Sequence, residues 1–442
     1  MPRCGSSPHV PLYWTESLGS VLAKTKFFFL LPHQSAVCSQ HVSIFGRIQM
    51  HTNLKAVLVG LAAWMLSAVA FASGHDNDKV ANRIVNQSLA VRPGEIVLII
   101  GNPTEIELMG ALQVAVAKAG GESMLQLSIP TADKRAVMEM PMEYLKQIPT
   151  GQLTMLRMVD AVINVASIED PDLFADVPEE RLAATRQAAA RLGAAFRNAS
   201  TRNVTLGQTG GIPTEAYAKS IGANPKEITE MFWKAVSVEP DELAMSARKY
   251  ASMLQAGAKA RLKSKAGTDL TFNIDDMSPR INAGRVADVG ADRGAMSVWL
   301  PAGEAYTCLD GATANGTVVV PQTMFRGKEI KNLKVTYRNG KMTGMSADSN
   351  EKMLKDYFAA SDEQTTQLSA MSIGLNRVSR PLSGSNYRSW EMGGMVTVVM
   401  GNNAFAGGEN SGDGAFFLHL TDATLEVGKT KVVSDGVLAR VR

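Results

Sequence analysis

The sequence predicts two domains of mixed fold: an N-terminal α/β domain on a parallel sheet, residues 78–265, and a C-terminal α+β domain on a curved antiparallel sheet, residues 266–442. Two observations predict this division. In the first region short apolar runs alternate with helical patterns, which is typical of βαβ units. In the second region strand patterns follow one another between glycine-rich connections, which is typical of antiparallel sheets.

The N-terminal domain is predicted to begin with an amphipathic helix over residues 78–89. A Pro-Gly turn then leads into an apolar strand over 96–100, and a helix over 105–119 and a strand over 123–127 complete a βαβ unit. Downstream we predict a strand over 161–166, a helix over 178–197 and a short strand over 204–206. No G-x-G-x-x-G or GxxxxGK[ST] motif accompanies these strands, so nothing in the sequence indicates nucleotide binding.

A long helix over residues 239–263, acidic at its start and basic at its end, is predicted to link the two domains. In the C-terminal domain, Asn339-Gly340 predicts a hairpin turn, because both residues tolerate positive φ. A helix over 349–360 is predicted to pack on the sheet, with Ser349 or Asn350 as its N-cap. The predicted strands of this domain span Asp269–Ile274, 317–320, 333–337, 395–400 and 415–419.

The N-terminal stretch has the pattern of an export signal. From Met50 the chain has one lysine, an apolar run and then Ala70-Phe71-Ala72, the small-x-small pattern that signal peptidase cleaves. We expect residues 50–72 to be a signal peptide, residues 1–49 to be a mis-assigned upstream extension, and the mature protein to be exported to the periplasm. No later segment has the roughly 20 apolar residues that a bilayer span needs.

The mature chain is close to electrically neutral. Removal of residues 1–72 takes away five basic residues and one acidic residue, and leaves 40 Lys and Arg against 41 Asp and Glu. This balance indicates neither nucleic-acid binding nor membrane-surface binding. Of the three cysteines only Cys308 remains, so no intramolecular disulfide forms, and of the six histidines only His75 and His419 remain.

Glu304 is the first candidate for a functional side chain. It stands in LPAGEAYT, between a turn and a strand, where rigid neighbours can aim a carboxylate into a cleft. The scarcity of histidine argues against an ordinary histidine-rich metal site. A serine hydrolase is disfavoured as well, because no G-x-S-x-G elbow is present.

Along nearly the whole mature chain, the sequence resembles the metallo-aminopeptidases of the aminopeptidase S and T type. The resemblance rests on the order and spacing of VRPGEIVLI, GTDLTF, LPAGEAYT, NGTVVV, LKVTYRNGKM, SIGLN and GNNAFAGGEN. It implies an active site in the C-terminal domain and a homodimer with a large cavity. It also implies removal of N-terminal residues from peptides by two divalent cations, which polarise the carbonyl and lower the pKa of a bound water.

The resemblance implies a ligand set of two glutamates, histidines and an aspartate. Glu304 matches the first glutamate. Leu375 stands at the place of the second glutamate, Thr397 at that of the first histidine and Phe405 at that of a tyrosine, so these three positions are substituted. The final His-x-Asp pair is expected in the loop that contains Asp413.

Four further side chains are weaker candidates for metal ligands: Glu391, Asp413, His419 and Asp422. His419 and Asp422 are three apart, and residues three apart on a strand point to opposite faces. In one interpretation Asp413 is a turn residue and His419 a core histidine. In another, Glu304, Glu391 and Asp413 bind a hard cation through oxygen alone, which favours magnesium, calcium or manganese over zinc or cobalt. A chain with no bound metal is a third interpretation.

Three functions stay open at this point. The first is an exported aminopeptidase-like metallohydrolase that acts on peptides. The second is a non-catalytic family member that binds a small molecule or a peptide in its cavity, so the sequence leaves open whether the chain is an enzyme. The third is oxidative ring cleavage, since an iron-dependent dihydroxypyridine dioxygenase resembles the same fold, and the lack of histidines disfavours it.

Overall fold

The structure is a computed structural model that describes residues 75–198, 201–207, 211–289 and 296–440. Residues Phe71–Arg442 form one compact unit. The expected upstream extension and signal peptide lie outside the described residues, and the expected domain boundary after residue 265 stays a prediction. Within the described ranges, no helix is long and apolar enough to cross a membrane.

The α-helices are α1 (Asn77–Asn82), α2 (Ile106–Lys118), α3 (Pro130–Glu139), α4 (Met142–Leu145), α5 (Thr150–Leu156), α6 (Glu179–Asn198), α7 (Glu215–Ser220), α8 (Pro225–Val236), α9 (Pro240–Ala251) and α10 (Glu351–Ala359). A π-helical segment spans Arg83–Ser88, and short 3-10 helices span Pro103–Glu105, Val286–Asp288, Glu363–Thr366 and Ala404–Ala406.

The strands are β1 (Ile96–Gly101), β2 (Glu122–Leu127), β3 (Ala161–Val165), β4 (Arg202–Leu206), β5 (Lys259–Lys263), β6 (Asp269–Ile274), β7 (Arg280–Asn282), β8 (Met296–Leu300), β9 (Glu304–Phe325), β10 (Lys328–Arg338), β11 (Lys341–Ser346), β12 (Leu368–Gly374), β13 (Val396–Gly401), β14 (Ala415–Leu420), β15 (Thr424–Val427), β16 (Thr430–Ser434) and β17 (Val437–Leu438).

Five parallel strands form the N-terminal sheet, in the order β2-β1-β3-β4-β8. The apolar strands β1 and β3 lie in its interior and are almost entirely buried, as continuous apolar runs in a parallel sheet require. The α/β architecture expected from the sequence is therefore confirmed. β8 comes from the later part of the chain, so a strand beyond residue 265 completes this first sheet.

In the described part of the chain, twelve antiparallel strands form the second sheet, along the path β14-β13-β12-β9-β6-β5-β15-β16-β17. Off this path, β10 and β7 pair with β9, and β11 pairs with β10. β9 organises this sheet because it is 22 residues long and pairs with different partners along its length. Its first part pairs with β7 and β12, its middle with β6 and its last part with β10. The expected antiparallel sheet is confirmed.

The expected linking helix over residues 239–263 is wrong in its second half. Helix α9 ends at Ala251, and β5 then alternates exposed and buried residues, with Ala260 and Leu262 inside. Arg261 on the outer face donates to both carboxylate oxygens of Asp269 on β6, at 2.9 and 2.8 Å. The KARLK pattern therefore has the two-residue period of a strand, and its basic residues belong to the strand's solvent face.

The expected hairpin is confirmed, since Asn339 and Gly340 have φ of 49° and 76° between β10 and β11. The expected N-cap position of α10 is confirmed at Asn350. Asn350 occupies the cap position in a left-handed conformation and makes no side-chain cap hydrogen bond. Its Nδ2 and the hydroxyl of Ser349 instead donate to the carbonyl oxygen of Glu329, which ties the helix start to β10.

One hydrophobic cluster joins the two sheets. It contains Ile163 and Val204 of the parallel sheet, Trp233 of α8, and Phe272 and Ile373 of the antiparallel sheet. The strands that carry the candidate site are therefore fixed on both sides by buried apolar contacts, which limits how far a side chain on β9 or β12 can move.

Candidate functional site

Glu304 is fully buried at the first position of β9. Asn282 of β7 lies opposite it on one side and Gly374 of β12 on the other. The indole Nε1 of Trp299 donates a hydrogen bond to Oε1 of Glu304 at 3.0 Å. Because Trp299 is the second-last residue of β8, this hydrogen bond joins Glu304 of the antiparallel sheet to the parallel sheet.

A row of polar residues crosses the same face of the antiparallel sheet. Arg280 and Ser372 lie opposite Tyr306 on the two neighbouring strands, Thr397 lies opposite Ser372, and His419 lies opposite Thr397. Directly opposed residues of antiparallel strands project to one face. Tyr306 follows Glu304 by two residues on β9, so this row lies next to the Glu304 carboxylate on the same face of the sheet.

The members of this row are neutral at their hydroxyl and imidazole groups. Burial lowers the pKa of His419 to about 4, with the nearby Arg388 as a second cause, and its Nδ1 lies 2.8 Å from Oγ1 of Thr397. Burial raises the pKa of Tyr306. The hydroxyls of Tyr306 and Ser372 have no hydrogen-bond partner among the described residues.

Aromatic rings cover this face. Trp299 and Trp390 stack with ring centroids 4.9 Å apart and an interplanar angle of 7°. Phe405 meets the edge of Trp390 at 5.4 Å, Phe417 contacts Trp390 at 4.9 Å, and Tyr306 lies 5.5 Å from Trp299. These contacts bury Trp299, Tyr306 and Trp390 in one aromatic cluster against the sheet.

Glu391 is fully buried, and its side chain is held away from this face. Ser379 donates to its Oε1 at 2.7 Å, and Ser389 donates to its Oε2. Burial raises the pKa of Glu391, while the two serine hydroxyls oppose that rise. The charge of Glu391 raises the pKa of Tyr387 and of Tyr217, and the charge of Glu304 raises that of Tyr306. The two glutamates therefore have different neighbours.

Asp413 and Asp422 have separate surroundings. Asp413 is 7% exposed; its Oδ1 accepts from Oγ1 of Thr365 at 2.9 Å, and its backbone N–H donates to Asp362 at 3.1 Å. Asp422 is half-buried and lies beyond the end of β14, in the turn before β15. His419 is inside β14, so the strand does not continue through both members of that expected pair.

The model of the family described as "Thermophilic metalloprotease (M29)" matches residues 75–387. The chain belongs to this family. The resemblance to metallo-aminopeptidases expected from the motifs is therefore confirmed. The match ends before four of the five candidate metal ligands, Glu391, Asp413, His419 and Asp422, and includes Glu304.

Similar proteins agree with the M29 assignment. "Aminopeptidase PepS" of Streptococcus thermophilus is 25% identical over 305 residues, which are 63% of this chain and 72% of that protein. The solved structure of wild-type AmpT from Thermus thermophilus superposes with a TM-score of 0.60 at 14% identity, over 82% of this chain and 99% of that chain. The structure of 2,5-dihydroxypyridine dioxygenase from Pseudomonas putida KT2440 superposes with a TM-score of 0.53 at 15% identity, over 82% and 96%. At these identities the two superpositions show the fold alone.

A metallopeptidase family implies a divalent cation, and the residues of this M29 chain do not fit one. Over the described ranges, no three His, Cys, Asp or Glu side chains lie close enough together to hold a metal ion. Glu304 accepts from an indole, Glu391 from two serines and Asp413 from a threonine. Leu375 is buried among apolar residues and Phe405 belongs to the aromatic cover.

The sequence reasoning missed the aromatic cover and the polar row. The alternation in Glu304-Ala-Tyr-Thr-Cys was the signal for Tyr306, since residues two apart on a strand share a face. Trp299 and Trp390 are each close in sequence to a candidate glutamate, but only the folded chain shows that they stack. Arg280 lies in a strand of three residues, which is too short for its pattern to be recognised.

Proposed function

We propose that this M29 chain is a non-catalytic member of its family, which binds a small molecule or a peptide and does not hydrolyse it. The observation that carries the proposal is the sheet face around Glu304. There the carboxylate accepts a hydrogen bond from Trp299, and the neighbouring positions hold hydroxyl-bearing and aromatic side chains.

Metal-assisted hydrolysis needs several strong ligands and a water held against the substrate carbonyl. Neutral serine, threonine and tyrosine hydroxyls are weak ligands for a divalent cation, and burial disfavours the phenolate of Tyr306. His419 is neutral near pH 7, which is the form that binds metals, but Thr397 already contacts its Nδ1.

A metal-dependent aminopeptidase is the second candidate, because the family suggests that activity and Glu304 is present. For this function Glu304 would need ligands from side chains that now hold other partners. Hydrolysis of aminoacyl p-nitroanilides by the mature chain, assayed separately with zinc, cobalt, manganese and magnesium, distinguishes the two candidates.

We expect the wild-type chain, Glu304→Gln and the exposed control Glu426→Gln to give the same rate as the buffer blank with every metal. A rate above the blank that Glu304→Gln and a chelator abolish, and that Glu426→Gln leaves intact, contradicts the non-catalytic proposal. It would establish a metal-dependent aminopeptidase in its place.

We also propose that the chain is exported to the periplasm and forms a homodimer, as the leader pattern and the family resemblance imply. N-terminal sequencing of the secreted protein is expected to begin at Ser73, and light scattering is expected to give twice the monomer mass. A mature protein that retains residues 50–72 contradicts export by cleavage, and a monomer mass contradicts the dimer.

A further inference from the structure

We propose that a cavity of about 460 Å³ beside Asp413 binds a small zwitterion, a molecule with one ammonium and one carboxylate group. This rests on the proposed function, since it names the ligand class that a non-catalytic member would take. Helix α6, the starts of β4 and β8, and the glycine-rich segment 401–414 surround this Asp413 cavity. Its volume lies within the range of about 300–1,000 Å³ that is usual for small-molecule sites.

Asp413 is a buried carboxylate with too few donors. Its Oδ1 shares the hydroxyl of Thr365 with Asp362, whose Oδ1 lies 2.8 Å from the same Oγ1. A hydroxyl has one hydrogen and can donate to one carboxylate at a time. Oδ2 of Asp413 has no hydrogen-bond partner among the described residues. Burial of a carboxylate that accepts too few hydrogen bonds destabilises the folded chain. An ammonium group that donates to Oδ2 would offset this loss.

Arg186 supplies the opposite charge on the helix side of the cavity. Its Nη1 donates to Glu179 at 2.8 Å, while its Nε is buried and has no hydrogen-bond partner in the described part of the chain. Glu179 also pairs with Arg326, so two guanidinium groups share one carboxylate. The positive charge of Arg186 is therefore only partly neutralised by Glu179. A carboxylate group of the ligand can supply the remaining negative charge.

The two charges lie near one another without pairing. Among the described residues, no salt bridge joins Arg186 to Asp413. The guanidinium of Arg186 lies 4.5 Å from the centre of the Tyr357 ring. Burial is the main cause that raises the pKa of Tyr357; Arg186 lowers this pKa and Asp413 raises it. Both charges are thus within electrostatic reach of one phenol, as the two ends of a small zwitterion require.

The remaining walls favour a ligand with an apolar body. Apolar side chains make up part of the same lining (Ala189, Ala190, Phe405 and Ala415), together with the uncharged polar side chains of Asn203, Ser297 and Asn402. A bare metal ion is disfavoured because Arg186 repels it, and a phosphate is disfavoured because Asp413 repels it. An uncharged apolar molecule would leave both charged groups incompletely bonded. The wall chemistry therefore fits an α-amino acid with an apolar side chain.

The test is isothermal titration calorimetry of the mature chain with L-phenylalanine, 2-phenylethylamine and 3-phenylpropanoate. The second compound lacks the carboxylate and the third lacks the ammonium group. We expect L-phenylalanine to bind at least about tenfold more tightly than either analogue, because each charged hydrogen bond contributes that much. We expect Asp413→Asn and Arg186→Gln each to weaken its binding by about tenfold or more.

Two matched variants control for structural damage. Arg191→Gln removes an exposed guanidinium from the same helix α6, and Glu426→Gln removes an exposed carboxylate from β15; neither residue lines the cavity. Both are expected to bind L-phenylalanine as the wild type does. Thermal unfolding of every variant identifies any that is not folded, and Asp413→Asn decides the test if Arg186→Gln fails to fold.

The inference is overturned if the folded wild type shows no saturable binding of L-phenylalanine or of any other standard amino acid. It is also overturned if Asp413→Asn binds as tightly as the wild type, or if either analogue binds as tightly as L-phenylalanine. These outcomes leave the proposed function standing when the chain hydrolyses no aminoacyl p-nitroanilide. Metal-dependent hydrolysis that Glu304→Gln abolishes would overturn the proposed function whatever the titrations give.

Discussion

Trp299 donates from its indole Nε1 to the carboxylate of Glu304 at 3.0 Å, and both side chains are buried where the two sheets meet. Trp299 also stacks on Trp390. The carboxylate that the family resemblance assigns to a metal centre is thus hydrogen-bonded to a member of an aromatic cluster. The hydrogen bond and the ring stack together fix the Trp299 side chain between Glu304 and Trp390.

Replacing Trp299 by Phe is expected to lower the free energy of unfolding by about 1–3 kcal/mol more than replacing Trp390 by Phe, because a buried carboxylate loses a donor. Each substitution removes a similar area of ring from the same stack. Urea denaturation of the two variants measures the difference. Equal losses would mean that the hydrogen bond to Glu304 contributes nothing beyond ring packing.

Gly374→Ala is expected to destabilise the chain by about 3 kcal/mol or more, because a Cβ there would collide with backbone. The atoms in its way are the carbonyl oxygens of Met392 and Trp390, so Trp390 would be pushed from its stack on Trp299. Gly344→Ala in β11 is the control, since nothing lies within 4 Å of its added Cβ. Chemical denaturation checks both, and a stable Gly374→Ala variant would contradict this packing.

The stability of the protein is expected to depend on the protonation of His419. Its pKa in the folded chain is about 4, below its ordinary value of 6.5, chiefly because of burial. The unfolded chain therefore binds a proton that the folded chain does not between these values. The contribution of neutral His419 to the free energy of unfolding is complete above pH 6.5 and is lost as the pH falls towards 4. Over this range the free energy of unfolding changes by at most about 1.4 kcal/mol per pH unit.

Urea denaturation between pH 4 and 7 measures this slope, with His419→Asn beside the wild type. His75→Gln is the control, because His75 is a second histidine whose pKa burial lowers, while His419 is left in place. We expect His419→Asn to flatten the pH dependence more than His75→Gln does. An unchanged slope in His419→Asn would contradict the buried neutral imidazole.

Glu391→Gln is expected to raise the free energy of unfolding at pH 7. Burial raises the pKa of Glu391 above its ordinary 4.5, so the folded chain favours the protonated acid. The stability that this group contributes is present below pH 4.5 and is lost as the pH rises through the folded value. A neutral amide avoids this loss: one of the hydroxyls of Ser379 and Ser389 can keep donating to the amide oxygen, while the other rotates to accept from the NH2 group.

Denaturation at pH 7 and at pH 4 measures this effect, with the exposed Glu426→Gln as control. The gain of Glu391→Gln over the wild type should be present at pH 7 and should shrink at pH 4, while the control changes little at either pH. A lower free energy of unfolding of Glu391→Gln at pH 7 would contradict this prediction. It would show that Glu391 is ionised in the folded chain and that a stronger hydrogen-bond donor than the two serines stabilises its charge.

The sequence predicts much of this fold because its signals are local. The apolar run of β1, the Asn339-Gly340 turn and the alternation of β6 each depend on a few neighbouring residues. The error at residues 239–263 has a physical cause, since KARLK follows a helix without proline or a long break, and only pairing with β6 and β15 decides its conformation.

The candidate site is harder to predict because it depends on contacts between distant residues. Glu304 was found from its motif, and the structure places it at the meeting of two sheets. The partners of Glu391 and Asp413 come from Ser379 and Thr365, which nothing in the local sequence connects to a site. Which charged side chains face a common cavity, as Arg186 and Asp413 do, follows from the packing of α6 and not from a motif.

We propose that this M29 chain retains the family scaffold without a metal centre. The most direct test is metal analysis by mass spectrometry of the mature, untagged chain after dialysis against zinc or cobalt and then against metal-free buffer. We expect less than about 0.1 metal equivalents per chain, and the same value in Glu304→Gln, because in the described part of the chain no three His, Cys, Asp or Glu side chains lie close enough together to hold an ion. About one or two equivalents that Glu304→Gln loses would contradict the account.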